Sequence, residues 1–257
     1  MTRRSPEGLQ RRIAKLKARV DSPAEDHMPR CTIPDPTTGK ACGRQTARAA
    51  KKGLSAFTCR YHQAFRQRHG SAWCKSPSGS VLRPYTTAAL AYIATRRSDP
   101  YISAALTGLD ALMDAAGPVE IATRLRGLPP ARRAKIALAR LREANVQPER
   151  LLAIPLAVAA LIEDAPDVVH RTQEWRVVAI AKAAHRLASG THRHWSVPHH
   201  DGRQQRIELH AYPRSSGRVL RHLGEMIEKE CELVIDHHLA AVLALKVARY
   251  GPHVAAS

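Results

Sequence analysis

The sequence predicts a mainly α fold: a small irregular N-terminal module followed by an α-helical domain with one short β-hairpin. Three observations lead there. Of the 257 residues 44% are hydrophobic but only 4% aromatic, so the core must be aliphatic, built of Leu, Ala, Ile and Val, which favours packed helices over a β-sandwich. From residue 85 onward apolar residues recur at helical spacing between Pro and Gly punctuation. Between Cys31 and Arg60, by contrast, there is no hydrophobic context from which to build a core.

Residues 1–30 read as a basic amphipathic helix and a connection. Ser5-Pro6-Glu7 supplies a cap, a first-turn proline and an acid, and Leu9, Ile13, Leu16 and Val20 share a face opposite Arg11, Arg12, Lys15 and Arg19. Residues 31–74 are the irregular module. Residues 75–84, KSPSGSVLRP, have the composition of a linker, and residues 85–257 are the helical domain. Its first helix is expected over 86–97. The second is capped by Asp99-Pro100 and ended by Gly117-Pro118, and the third starts near Pro129-Pro130 and carries Ile136, Leu138 and Leu141. Two more cover 148–163, kinked or split by Pro155, and 166–188, stopped by Ser189-Gly190. Then the period becomes two. Trp195 and Val197, then Ile207, Leu209 and Ala211, alternate around His200-Asp201-Gly202 as in a hairpin. A long helix over 216–249 closes the chain, with Leu220, Leu223, Ile227, Val234, Val242 and Leu245 as its buried stripe.

The formal net charge is +19, unevenly spread: residues 1–98 hold 20 Lys and Arg against 5 Asp and Glu, residues 99–257 hold 21 against 17. Between Pro36 and Ser98 stand twelve basic residues and no acidic one. Such a field repels itself, and a polyanion relieves it by accepting the contacts and releasing counterions, so nucleic acid is the partner implied. A membrane is a poorer fit. The basic segment lacks a broad aromatic-rich apolar face, and the longest nearly uninterrupted apolar run, residues 151–162, is too short to cross a bilayer. The opening MTRRSPEG has no apolar stretch after its arginines, so the expected location is the cytoplasm.

Four of the five cysteines fall between Cys31 and Cys74, which is unlike a secreted disulfide framework and suits metal binding in a reducing compartment. Cys59-Arg60-Tyr61-His62 sets two ligand types two residues apart, close enough to converge on one ion. Ten residues separate Cys31 from Cys42, with a turn at Thr38-Gly39, and sixteen separate Cys42 from Cys59. Thiolates with an imidazole select zinc, and Cys31, Cys42, Cys59 and His62 are the candidate ligands. His69 and Cys74 are rivals for the fourth position.

The pieces TGKACGR and TCRYH resemble the Cys3His segments of small phage, prophage and mobile-element proteins of bacteria, and the ligand order is similar to the plant WRC domain of growth-regulating factors. The resemblance covers residues 31–62 and departs after His62, where Gln63-Ala64 replaces a glycine-rich run. It implies a zinc-binding, DNA-binding unit whose ligands map onto Cys31, Cys42, Cys59 and His62. Beside that scaffold Lys40, Arg44, Arg48, Lys51, Lys52, Arg60, Arg66 and Arg68 are the candidate phosphate contacts, with Phe57, Tyr61 and Trp73 as stacking groups for a single strand. The reading is a non-enzymatic zinc and nucleic-acid-binding protein, DNA first, whose helical domain serves an oligomer or a protein partner.

The alternative is a metal-dependent DNA-processing enzyme or packaging factor using the histidine-rich half. Nine of the fourteen histidines follow Thr191, and His192, His194, His199, His200, His210 and His222 lie on or beside the hairpin and the next helix, in the outline of a ββα-metal nuclease. The orienting asparagine of such sites is missing, since Asn145 is the one asparagine of the chain. Cys231 and His238, with Glu228, Asp236 and His237, read as a core or interface face of the last helix rather than a metal site. No phosphate loop, dinucleotide fingerprint or nucleophile elbow occurs.

Overall fold

The computed structural model describes residues 30–34, 40–46, 58–72, 74–120, 125, 127–165, 172–188, 193–198, 200–209 and 216–252, and of 193–195 and 205–209 the backbone alone. The helix expected near residues 5–20 lies outside them. The chain divides into two compact units, Met1–Ala64 and Phe65–Ser257. In the first unit, isolated antiparallel bridges join Arg30 to Gln45 and Pro34 to Ala41, and helix α1 (Arg60–His69) begins.

The second unit is mainly helical. α2 (Gly79–Thr95), α3 (Pro100–Asp114), α4 (Pro130–Glu143), α5 (Pro148–Asp164) and α6 (Gln173–Leu187) precede a two-stranded antiparallel hairpin, β1 (Arg193–Pro198) and β2 (Gln204–Leu209), and α7 (Gly217–Tyr250) closes it. Asp99 caps α3 through its carboxylate, which accepts from the amides of Tyr101 and Ile102 at 3.0 and 3.2 Å. The hairpin pairs Trp195 with Ile207 and Val197 with Gln205, and Gly202 supplies the positive φ of +78° in its turn.

Two expectations need correction. Residues 79–84, expected inside a linker, form the first turns of α2. The Ser78 hydroxyl accepts from the Val81 amide at 3.3 Å and starts the helix early, and Leu82 is buried. Pro155 does not split α5, which runs unbroken from Pro148 to Asp164. Every residue from Leu151 to Leu161 is buried, and a helix apolar all round gains enough from packing on every side to outweigh one missing amide.

That helix and α7 each supply a large share of the core, and α2, α3, α4 and α6 supply most of the rest. α7 packs against each of α2, α3, α4, α5 and α6. Its stripe buries Leu220, Leu223, Ile227, Cys231, Val234 and Val242, while the expected Leu245 is only part-buried and Lys246, one residue on, is 3% exposed. Lys246 forms an ion pair with Asp164 at the end of α5. The same carboxylate accepts from the Tyr85 hydroxyl of α2 at 2.8 Å, and the ammonium lies 4.6 Å from the centre of the Tyr85 ring. A second network holds α1, α6 and α7: Glu174 accepts from Arg66 Nε at 2.9 Å and Arg221 Nε at 2.8 Å. Burial opposes ionisation of Glu174, but the two guanidiniums outweigh it and hold the carboxyl below its ordinary range.

Gly224 sets the spacing of α6 and α7. A Cβ there would lie 2.1 Å from the backbone carbonyl oxygen of Val177, so the helices cross at a distance that only glycine permits. Gly224→Ala is expected to lower the unfolding free energy of the helical unit by about 2–3 kcal/mol, read from urea unfolding followed by helix circular dichroism. A loss under about 0.5 kcal/mol would show that the crossing relaxes freely.

Candidate metal centre

The metal-ligand candidates come from two local structures of the first unit. The arms around Cys31 and Cys42 are tied by backbone bonds: the Cys31 amide donates to the Arg44 carbonyl and the Cys42 amide to the Ile33 carbonyl, both at 2.8 Å, and the Gly43 amide returns to the Cys31 carbonyl at 3.1 Å. Gly43 has a φ of +66°, a conformation that glycine adopts at no steric cost, and it lets the chain turn directly after Cys42. The other two candidates lie at the start of α1. The Gln63 amide donates to the Cys59 carbonyl at 3.0 Å, closing the first turn, so Cys59 and His62 stand three residues apart on one helix face.

These pieces bring Cys31, Cys42, Cys59 and His62 together, with one ligand atom from each and all four within 4.8 Å of one another. His62 Nδ1 is 3.3 Å from Cys31 Sγ and 3.4 Å from Cys59 Sγ. A tetrahedral zinc site, with Zn–S of about 2.3 Å and Zn–N of about 2.0 Å, would separate its donors by about 3.5–3.8 Å, so the quartet needs only small adjustments to hold one ion.

The surroundings favour one thiolate first. Burial raises both buried thiols, and for Cys31 burial and the neighbouring Cys59 leave the net shift upward. For Cys59, burial is outweighed by hydrogen bonds from the His62 and Tyr61 amides and from the Cys31 and Cys42 thiols, and its pKa falls. Of these two candidate ligands Cys59 is therefore the more ready to ionise. Among the described residues of this unit the buried side chains are Cys31, Thr46, Thr58, Cys59 and His62, so three of the five are ligand candidates.

The rivals are engaged elsewhere. His69 Nδ1 accepts from the Ser76 amide at 3.1 Å, and Cys74, whose amide donates to the Ser71 hydroxyl at 3.0 Å, packs against the helical core. Lys40, Arg44, Arg60 and Arg68 are exposed, with the Arg44 guanidinium 5.1 Å from the centre of the Tyr61 ring, while Arg48, Lys51, Lys52 and Phe57 lie outside the described residues. Arg66 is paired with Glu174, which ties its charge to the fold.

The later histidines do not form a second centre among the described residues. His238 lies between the Tyr92 hydroxyl at 3.0 Å and the Asp99 carboxylate at 3.1 Å, and His237 stacks on Tyr101 with ring centres 4.0 Å apart. His222 pairs with Glu225 at 3.8 Å, and His200 is exposed in the hairpin turn. Cys231 is fully buried, and burial pushes its thiol up, as in a core position. No described helix is long and apolar enough to cross a membrane.

Sequence reasoning passed over Lys182 and Arg186 of α6. Their signal is weak, two cations four residues apart on an otherwise amphipathic helix, and it takes the fold to show that they meet His69 and the chain after it. No known family model, curated protein or solved structure matches this chain, so the resemblance of residues 31–62 to phage and WRC segments stands on the ligand order alone.

Proposed function

We propose that the chain binds nucleic acid, DNA in the first instance, through a zinc-stabilised basic module, and that the helical unit supports it and meets an oligomer or protein partner. The observation that carries this reading is the meeting of Cys31, Cys42, Cys59 and His62, the last three of which lie inside a stretch, Pro36 to Ser98, that holds twelve basic residues and no acidic one. A three-thiol, one-imidazole set is closed, with four protein ligands and no open position for a substrate, as in structural rather than catalytic zinc sites. The exposed Lys40, Arg44, Arg60 and Arg68 supply charge without a base-reading pattern, which suits contact with phosphates.

The test combines metal analysis with binding over a salt series. About one zinc per chain is expected. Neutralising Lys40, Lys51, Lys52 and Arg60 to glutamine should weaken binding to all sequences alike and flatten the salt dependence by roughly 0.7 to 0.9 per lost phosphate contact, with zinc content unchanged. Unaltered affinity and slope would reduce the basic stretch to a solvated surface. Plasmid incubated with magnesium or manganese should stay intact; nicking would favour the DNA-processing alternative in the histidine-rich half.

A further inference from the structure

α6 carries Trp175, Lys182 and Arg186 at i, i+7 and i+11, a spacing that sets all three on one stripe. The chain after α1 is held along it. Trp175 Nε1 donates to the Lys75 carbonyl and Arg186 Nη2 to the Pro77 carbonyl, each at 3.1 Å. At the near end Gly70, with a φ of +72°, passes so close to α6 that a Cβ would lie 2.3 Å from the Glu174 carbonyl oxygen. The loop is thus docked before any ligand arrives.

This docking crowds cations together. Lys182 Nζ lies 3.1 Å from His69 Nδ1, and the Ser76 amide and hydroxyl meet the same nitrogen at 3.1 Å each. An ammonium and an amide can only donate, so Nδ1 is the acceptor and the ring is neutral. Three donors therefore converge on one lone pair. Among the described residues that imidazole nitrogen is the one polar contact of the Lys182 ammonium. The charges acting on the pair are positive. Burial first, then Lys182, Arg68 and Lys75, hold His69 down to about 4, and burial, then Arg186 and Arg68, hold Lys182 down to about 8.

We propose that Arg68, His69, Lys75, Ser76, Lys182 and Arg186 form an oxyanion site that takes a phosphate group. A phosphate oxygen offers the lone pairs that the cluster lacks, replaces Nδ1 as the acceptor for Lys182, and relieves the repulsion among the cations. An ammonium short of acceptors beside further cationic side chains suits a backbone phosphate, which positions without base readout. The inference rests on the nucleic-acid reading for the source of the phosphate, a phosphodiester of the backbone; the oxyanion chemistry itself is shared with free phosphate.

The experiment uses the full-length protein and two probes. Inorganic phosphate, titrated at constant ionic strength, should raise the thermal midpoint and shift the His69 ring resonances. Oligonucleotide binding is measured over a salt series. Lys182→Gln with Arg68→Gln should abolish the phosphate response and weaken oligonucleotide binding roughly tenfold, with the slope lower by about 1.4 to 1.8 for two lost contacts. Lys182→Arg keeps the charge and should keep both responses, which separates loss of charge from loss of packing. The site is refuted if the double variant answers both probes as the parent does. Should the parent bind no oligonucleotide yet show a phosphate response that needs Lys182, the oxyanion site stands and the nucleic-acid reading falls. Should oligonucleotide binding ignore the double variant while the phosphate response vanishes, the site stands and its ligand is free phosphate.

Discussion

Cys59→Ser is expected to abolish zinc binding and to unfold the segment that joins Cys31, Cys42 and His62, while the helical unit keeps its cooperative transition. The reason is the inventory of what is buried. In the described part of Met1–Ala64 no Leu, Ile, Val or Phe is buried, and the enclosed side chains are two threonines and three of the candidate ligands. On the proposed reading, metal coordination would supply the folding energy of that segment, of order 10–16 kcal/mol in zinc-finger peptides at neutral pH, and losing one of four ligands would remove most of it. Zinc content by mass spectrometry and limited proteolysis of the variant check this. A Cys59→Ser protein that still holds one zinc, or whose residues 30–64 resist protease without metal, would defeat it.

The second large effect belongs to the helical unit. Asp164→Ala should lower its unfolding free energy by about 3–5 kcal/mol, because it leaves the Lys246 ammonium buried without its counter-charge. Lys246 is 3% exposed and cannot reach water without opening the contact of α7 with α2 and α5. The Tyr85 ring under the ammonium recovers only a small part, about 1–2 kcal/mol at most. Removing both charges together, as Asp164→Leu with Lys246→Met, should cost far less than removing Asp164 alone, since no orphan charge remains. Urea unfolding of the three proteins gives the comparison. Equal losses for the single and double variants would mean that packing volume, not charge, governs the site.

Much of this molecule was legible in its residues. The scarcity of aromatics and the spacing of Leu, Ala, Ile and Val announced a helical core, and local chemistry marked several ends: Asp99 before Pro100, Pro130 and Pro148 in first turns, and Gly202 between alternating strands. The meeting of Cys31, Cys42, Cys59 and His62 was legible for a similar reason, because a segment with four ligand-type residues and no apolar core has few other ways to hold a fold.

The sequence by itself therefore determined what depends on composition and on neighbours within a turn or two: the helical class, most helix positions, the hairpin, and the Cys59–His62 pair. Tertiary structure decided what depends on partners far along the chain. It placed His62 with Cys31, Cys42 and Cys59, while the His69 ring accepts from the Ser76 amide and Cys74 packs against the helical core. It carried α5 through Pro155, because packing on every side outweighs a single lost amide bond. It paired Arg66, a candidate phosphate contact, with Glu174, 108 residues away, and brought Lys182 to His69 across 113. Periodicity records which residues turn inward; which charge meets which is fixed only when helices distant in sequence pack together, and that information lies in no single segment.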